Sequence, residues 1–208
     1  MMTLYGRPGW GSVLVEAQLL RYGLPFRFEA VGDLFASAEA RTALAAVNPL
    51  AQVPTLVLAD GRVMSESAAI TLYLADLTGR DDLVPGPHAP ERAAFLRWLV
   101  FLVANLYPTF TYADDPQRFV ADATAARAFR VRVDEYAKSL WRVVETAAVG
   151  PWFLGERSSA LDLYVAVMTR WRPRRAWFAE ATPTLHAIAQ AVDADPGYTD
   201  VLARNFAN

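Results

Sequence analysis

The sequence contains no cysteine, and this absence removes several kinds of chemistry at once. A chain without thiols has no disulfide framework, no thiolate metal site and no cysteine nucleophile of its own. Histidine is also scarce, since His88 and His186 are the only two, and neither has partners at metal-ligand spacing. We therefore expect no metal site, and sulfur chemistry would have to come from a bound molecule.

The chain also lacks a long apolar run, a basic leader and a strong excess of one charge. The longest apolar stretch, residues 98–107, contains Asn105 and is too short to cross a bilayer. Its 20 Lys and Arg against 22 Asp and Glu give a net charge of -2, which offers no electrostatic case for nucleic acid or an anionic membrane. We expect a cytoplasmic protein with neither kind of partner.

What the chain does have is enough apolar material for a large core. Hydrophobic residues make up 54% of 208 residues, which indicates one large globular domain or two small ones. The clearest linker is residues 79–90, where Asp81 and Asp82 are followed by Pro85, Gly86 and Pro87. We place the domain boundary there.

Hydrophobic periodicity before this linker predicts strands and helices in the order βαβαββα. The predicted elements are a strand at 3–5, a helix at 12–22, a strand at 26–30, a helix at 37–47, a hairpin of strands at 55–59 and 62–64, and a helix that follows a cap at 65–67 and ends before Gly79. The hairpin prediction depends on Asp60-Gly61, and Ser65, Glu66 and Ser67 supply a cap for the last helix.

After the linker, the apolar spacing predicts helices only. They cover 91–107, the region 117–149 as either one helix or a broken one, a helix that reaches Trp171, and two final pieces at 183–192 and 196–205 that begin with proline near the first turn. Pro108 should end or kink the first of them. Ser159 and Asp162 have the spacing of a reciprocal helix cap.

One stretch combines signals that favour a ligand site. Pro54 at the entrance of a strand removes a donor, so the Val53 backbone would be free to meet a ligand. The helix start nearby suits a carboxylate, and Glu66 would accept from an ammonium group. The alternative is that Ser65 or Ser67 only caps the helix while Glu66 is solvated.

These segments resemble the glutathione transferase family. NPLAQVPTL, residues 48–56, resembles the family segment NPxGQVPxL, and SESAAITLYLAD, residues 65–76, resembles E-S-x-A-I-x-x-Y-L. FLGERSSALDLYVAV, residues 153–167, resembles the segment F-L-x-G-x-x-x-S-x-A-D of the family's helical domain. The resemblance implies a thioredoxin-like α/β domain over 1–78 and an all-α helical domain over 91–208 that forms the acceptor site. It also implies glutathione as co-substrate, conjugation to an apolar electrophile in detoxification, and a homodimer.

The resemblance also assigns residues to the two substrates. The Val53-Pro54 bond would be cis, with Gln52, Val53 and Pro54 at the cysteinyl part of glutathione, and Glu66 and Ser67 at its γ-glutamyl end. Aromatic residues would contact the acceptor near the domain cleft, although aromatic residues at helical spacing are more often core; they are Trp10, Tyr107, Phe110, Tyr112 and Trp171.

The residue that stabilises the glutathione thiolate is harder to assign. The loop before the first helix resembles a bacterial branch with P-G-x-C-S, which places Gly11 at the cysteine and Ser12 at the serine. We predict that the Ser12 hydroxyl donates to sulfur. If Ser12 only caps the helix, the amides of residues 9–12 or the charge of Arg7 would take that role, and Tyr5 is a weaker candidate.

Two rival functions remain open at this point. One is a glutathione-dependent disulfide or peroxide reductase that works without protein cysteine. The other is a glutathione-binding or assembly protein that has lost catalysis. The basic residues of 170–175 would suggest nucleic acid, but an acidic chain and a helix end favour a capping and salt-bridge role.

Overall fold

The computed structural model describes residues 1–207, which form two compact units. Unit 1 comprises Met1–Val84 together with residues 193–207, and unit 2 comprises Pro85–Val192. The predicted division, with a linker at 79–90 and a helical domain over 91–208, differs chiefly at the C-terminal end. There the structure groups the last helix with the N-terminal unit.

Unit 1 has the predicted thioredoxin-like order. Its elements are β1 (Met2–Gly6), α1 (Ser12–Arg21), β2 (Phe26–Ala30), α2 (Ala38–Ala45), β3 (Thr55–Val57), β4 (Val63–Met64) and α3 (Ser67–Thr78). In the part of the chain that the structure describes, four strands form one sheet in the order β2-β1-β3-β4. Strand β2 is parallel to β1, and β3 is antiparallel to both of its neighbours. The α/β prediction is confirmed.

The core of unit 1 lies where α1 and α3 cover the sheet. Leu4 and Leu56 on the strands are fully buried, as are Leu14 on α1 and Leu74 on α3. Leu56 and Leu74 are apolar positions of the strand and helix that periodicity predicted, and their burial agrees with that prediction.

Unit 2 is helical, as predicted. Its elements are α4 (Arg92–Phe101), a π-helical turn (Leu102–Leu106), α5 (Tyr107–Asp114), a 3₁₀ turn (Pro116–Arg118), α6 (Ala123–Glu145), α7 (Ala160–Met168), α8 (Arg175–Ala181) and α9 (Pro183–Ala194). Ser159 and Asp162 form the predicted capping box at the start of α7. Helix α8 was not predicted. Helix α10 (Pro196–Asn205) follows and belongs to unit 1.

Pro108 does not end its helix. The chain stays helical from Arg92 to Asp114, with the π-helical turn directly before Tyr107 and Pro108. Proline lacks an amide donor and crowds the carbonyl four residues earlier, and a wider turn at that point relieves both problems. The sequence indicates the local conflict at Pro108 but not the wider turn that accommodates it.

The same 23-residue helix, Arg92–Asp114, is long and apolar enough to pass a test for a membrane span by length and composition. In the most apolar 18-residue segment of this helix, 39% is buried within the protein. This is weak support for a span, because core helices of soluble proteins pass the same test.

Candidate functional site

Three backbone segments meet at one end of the sheet in unit 1. Tyr5 of β1 lies opposite Thr55 of β3, and Leu56 lies opposite Met64 of β4. Because these pairs are antiparallel, the chain leaving β1, the chain entering β3 and the chain leaving β4 all lie at the same end. The loop before α1, the segment before β3 and the start of α3 are therefore neighbours.

The segment before β3 is held by buried polar groups. The Val53-Pro54 bond is cis, as the resemblance implied. The fully buried Thr55 hydroxyl donates to the Gln52 carbonyl at 2.7 Å and accepts from the Asn48 amide at 2.9 Å. Among residues 1–207, the Val53 backbone makes no hydrogen bond.

Sequence reasoning assigned no role to Asn48 or Thr55. Both lie inside the quoted segment NPLAQVPTL, and the Asn48 side chain also donates to the Gln52 carbonyl at 3.2 Å. Both are polar residues that are 5% exposed or less. Their burial would have identified them, but burial cannot be seen in the sequence.

Two residues at this end of the sheet have a positive φ that side chains disfavour. Ala51 has φ 48°, and Glu66 has φ 66° with ψ 99°. Such conformations cost about 1–3 kcal/mol each and tend to occur at ligand sites. At position 51 the family segment has glycine, which adopts this conformation without strain.

The start of α3 has no side-chain cap. Glu66 precedes the first helical residue, and its side chain makes no capping hydrogen bond. Within the described chain, the hydroxyls of Ser65 and Ser67 do not bond to these amides either, so the expected helix cap is not formed. The first amides of α3 therefore remain available to an anionic group. Ser67 is buried and Glu66 is exposed.

Ser12 is fully buried at the start of α1, and its hydroxyl is already hydrogen-bonded. The hydroxyl donates to the Arg7 carbonyl at 3.1 Å and accepts from the Arg7 amide at 3.0 Å. A hydroxyl has one proton, so donation to a sulfur would require the bond to the Arg7 carbonyl to break. The predicted role of this hydroxyl stays a prediction.

The backbone beside Ser12 offers other donors. The amides of Gly11 and Ser12 begin α1 and have no hydrogen-bond partner within residues 1–207. Helix starts leave such amides unpaired, and the helix dipole adds a partial positive charge there. This turn can stabilise an anion without any side chain.

Arg7, the other alternative, has its own partners. Its guanidinium lies 3.4 Å from the Asp33 carboxylate and 5.4 Å from the centre of the Trp10 ring. The amides of Ala36 and Phe35, and then Arg7, hold the pKa of the Asp33 carboxyl below its usual value. Part of the Arg7 charge is therefore neutralised before any ligand binds.

The predicted acceptor residues fall into separate groups. Tyr107 and Trp171 are in edge contact, with ring centres 5.6 Å apart, and both contact Phe110 in unit 2. Tyr112 packs against Phe119 instead, at 5.0 Å. Trp10 lies in unit 1, where its ring centre is 5.0 Å from that of Phe35.

The basic residues after α7 have structural partners. Arg172 forms ion pairs with Asp114 and with Asp134, the latter at 3.0 Å. This is the salt-bridge role predicted for the cluster. In the described part of the chain, residues 1–207, no group of three or more His, Asp or Glu is arranged to hold a metal ion.

Comparison with known proteins identifies the family. Residues 15–77 match the family model described as "Glutathione S-transferase, N-terminal domain". Over 206 residues, covering 99% of this chain and 98% of the relative, the sequence is 40% identical to the uncharacterized GST-like protein YncG of Escherichia coli K12. It is 27% identical to glutathione S-transferase GstA of Escherichia coli O157:H7, covering 97% of this chain and 98% of that protein.

A solved structure shows the same fold over nearly the whole length. A glutathione transferase homologue from Sulfitobacter, with bound glutathione, superposes with a TM-score of 0.83 at 26% identity and covers 97% of this chain and 96% of that one. The chain belongs to the glutathione transferase family. At the level of the family, this supports glutathione as the substrate.

Proposed function

We propose that this protein binds glutathione at the end of the unit 1 sheet, stabilises its thiolate and conjugates it to an apolar electrophile. The observation that carries the proposal is the meeting of three unpaired backbone regions at one sheet end. They are the Val53 backbone, the uncapped start of α3 and the amides at the start of α1. Glutathione is a peptide-like anion with two carboxylates, an ammonium and a thiol, and these regions match its cysteinyl backbone, its γ-glutamyl carboxylate and its thiolate.

In the proposed complex, the cysteinyl backbone of glutathione pairs with Val53. The γ-glutamyl carboxylate accepts from the first amides of α3, near Ser67, and its ammonium donates to Glu66. Since Gln52 and Pro54 flank Val53, they shape this part of the site. Strand β3 lies beside β1, so the cysteinyl sulfur faces the turn that leads into α1.

The thiolate is then stabilised by backbone donors, chiefly the amides of Gly11 and Ser12. Lowering a thiol pKa from about 8.5 by about two units requires about 2.7 kcal/mol in favour of the anion. One hydrogen bond to a charged acceptor contributes about 1.5–3 kcal/mol, and a helix start adds about 0.3–1 kcal/mol. The backbone amides and the helix start therefore suffice to lower the thiol pKa by about two units. The Ser12 hydroxyl then keeps its hydrogen bonds to the amide and the carbonyl of Arg7.

Tyr107 and Trp171 provide the proposed apolar surface for the acceptor, and the buried Phe110 packs against both rings. Tyr112 and Trp10 are weaker candidates, because each packs against a phenylalanine elsewhere. We further propose a cytoplasmic homodimer; analytical ultracentrifugation of the purified protein would test the dimer, and fractionation of cells that express it would test the location.

The experiment for the function has two parts. Calorimetry measures glutathione binding, and an activated aryl chloride, whose thioether product absorbs in the near ultraviolet, reports conjugation. We expect binding and turnover together. Binding without turnover of the aryl chloride, but with turnover of a model disulfide or peroxide, would favour the reductase, and binding with no turnover at all would favour a non-catalytic protein.

A further inference from the structure

The last helix of the chain reaches the turn that begins α1. The Gly9 amide donates to Asn205 Oδ1 at 3.2 Å, although the two residues are 196 positions apart. Gly9 has φ 77°, and a Cβ at this position would lie 3.3 Å from the Asn205 carbonyl oxygen. The turn and the end of α10 are therefore in close contact.

The Asn205 side chain is fixed in one orientation by its partners. Its Nδ2 donates to Glu16 Oε2 at 2.9 Å and to the Val201 carbonyl at 2.9 Å. A carboxylate only accepts and an amide N–H only donates, so only this orientation serves both Glu16 and Gly9. Asn205 is 8% exposed and Glu16 is 6% exposed, which protects these bonds from water.

These bonds connect two points on the same stretch of chain. Glu16 lies within α1 and Gly9 lies in the turn before it, so Asn205 fixes the turn relative to the helix axis. The amides of Gly11 and Ser12 lie between these two points. The direction of these two amides therefore depends in part on the Asn205 side chain.

We propose that Asn205 is a positioning residue for thiolate stabilisation, an inference that depends on the proposed function above. Hydrogen bonds to a charged acceptor weaken steeply when the donor is misaligned, and displacements of about 1 Å in a site are costly. Removing the Gly9 bond takes away one of the contacts that hold the turn, so its geometry is less closely fixed and the thiolate loses part of its stabilisation. Bound glutathione then keeps its proton to a higher pH.

The test compares Asn205→Ala with Arg204→Ala in the full-length protein. Arg204 Nη2 bonds to the same Glu16 at 2.9 Å but does not bond to Gly9, so the second variant disturbs the same link without releasing the turn. The thiolate absorbance of bound glutathione is titrated in the wild type and in both variants. For Asn205→Ala we expect the thiol pKa to rise by about one unit from about 6.5, so that the thiolate fraction, and with it kcat for the aryl chloride, falls about threefold at neutral pH and recovers at alkaline pH. Arg204→Ala should leave both values unchanged.

A residue that only stabilises the fold would give a different result. In that case Asn205→Ala would lower the melting temperature while the bound thiol pKa and the pH profile of kcat stayed as in the wild type, which would overturn the inference. Should Asn205→Ala not fold, Asn205→Ser replaces it, since a serine hydroxyl is too short to reach Gly9 and should produce the same shift. If the wild type itself shows no lowered thiol pKa, the proposed function fails first, and the two failures are distinguished.

Discussion

Replacing Ser12 with alanine separates the two explanations for a stabilised thiolate. The substitution removes both hydrogen bonds to the Arg7 backbone, at 3.0 and 3.1 Å, from a fully buried site. At about 0.5–1.5 kcal/mol for each bond, the free energy of unfolding should fall by about 2 kcal/mol. If backbone amides stabilise the thiolate, the pKa of bound glutathione should change by less than about half a unit, because the amide of residue 12 remains.

The assay for Ser12→Ala combines urea denaturation with the ultraviolet thiolate titration of bound glutathione. Ser139→Ala is the matched control, since its exposed hydroxyl donates only to the Tyr136 carbonyl and the change should leave both measurements unaltered. A direct hydroxyl-to-sulfur bond is worth about 1.5–3 kcal/mol, so its loss would raise the thiol pKa by about one to two units. A rise of that size in the thiol pKa, with an unchanged free energy of unfolding, would refute stabilisation by the backbone amides. It would instead identify the Ser12 hydroxyl as the group that stabilises the thiolate.

Three further predictions concern binding, strain and pH. Glu66→Gln should weaken glutathione binding about tenfold by calorimetry. A glutathione analogue without the α-ammonium should bind the wild type and the variant with equal affinity. If the variant binds this analogue about tenfold more weakly as well, the ammonium contact is disproved. Ala51→Gly should raise the free energy of unfolding by about 0.5–1 kcal/mol, because glycine adopts φ 48° without backbone strain. The control Ala69→Gly, within α3, should lower the free energy of unfolding by about 1 kcal/mol. A lower free energy of unfolding in both variants would contradict the strain argument. Burial raises the pKa of Asp162 to about 6, although three hydrogen bonds from Phe153 and Ser159 lower it. Between pH 4 and 6 the folded protein therefore keeps a proton that the unfolded chain releases. Relative to Asp162→Asn, the free energy of unfolding should therefore fall by about 3 kcal/mol as the pH rises through this range, and a flat difference would show that the pKa is not raised.

The sequence contained most of the fold because local patterns and local caps agreed. The helix over 12–22, the strand over 26–30 and the capping box at Ser159 and Asp162 each depend on neighbours within a few residues. The helix predicted over 196–205 is present as α10, but the sequence does not say which unit that helix joins. Such a choice depends on contacts with residues almost 190 positions away.

The candidate site was predictable where a motif fixes the backbone and less so where a side chain has alternatives. The cis bond at Pro54 follows the quoted family segment. The hydroxyl of Ser12, by contrast, has a choice between a ligand and the Arg7 carbonyl, and only three-dimensional placement decides it. The helix cap at Ser65 and Ser67 is a second example, because serine favours capping but neither hydroxyl caps α3. The residue before the helix is Glu66, with φ 66°, and this backbone conformation is not visible in the sequence.

The bond between Gly9 and Asn205 also has a consequence for the order in which the protein is made. The ribosome adds about 5–20 residues per second, so about ten seconds separate the appearance of residue 84 from that of residue 205. During that time the Glu16 carboxylate, which is buried in the finished protein, has neither Arg204 nor Asn205 to pair with. The turn that we propose faces the thiol is therefore among the last parts of unit 1 to reach its final geometry, and if that proposal is correct a nascent chain should bind glutathione poorly until α10 has emerged.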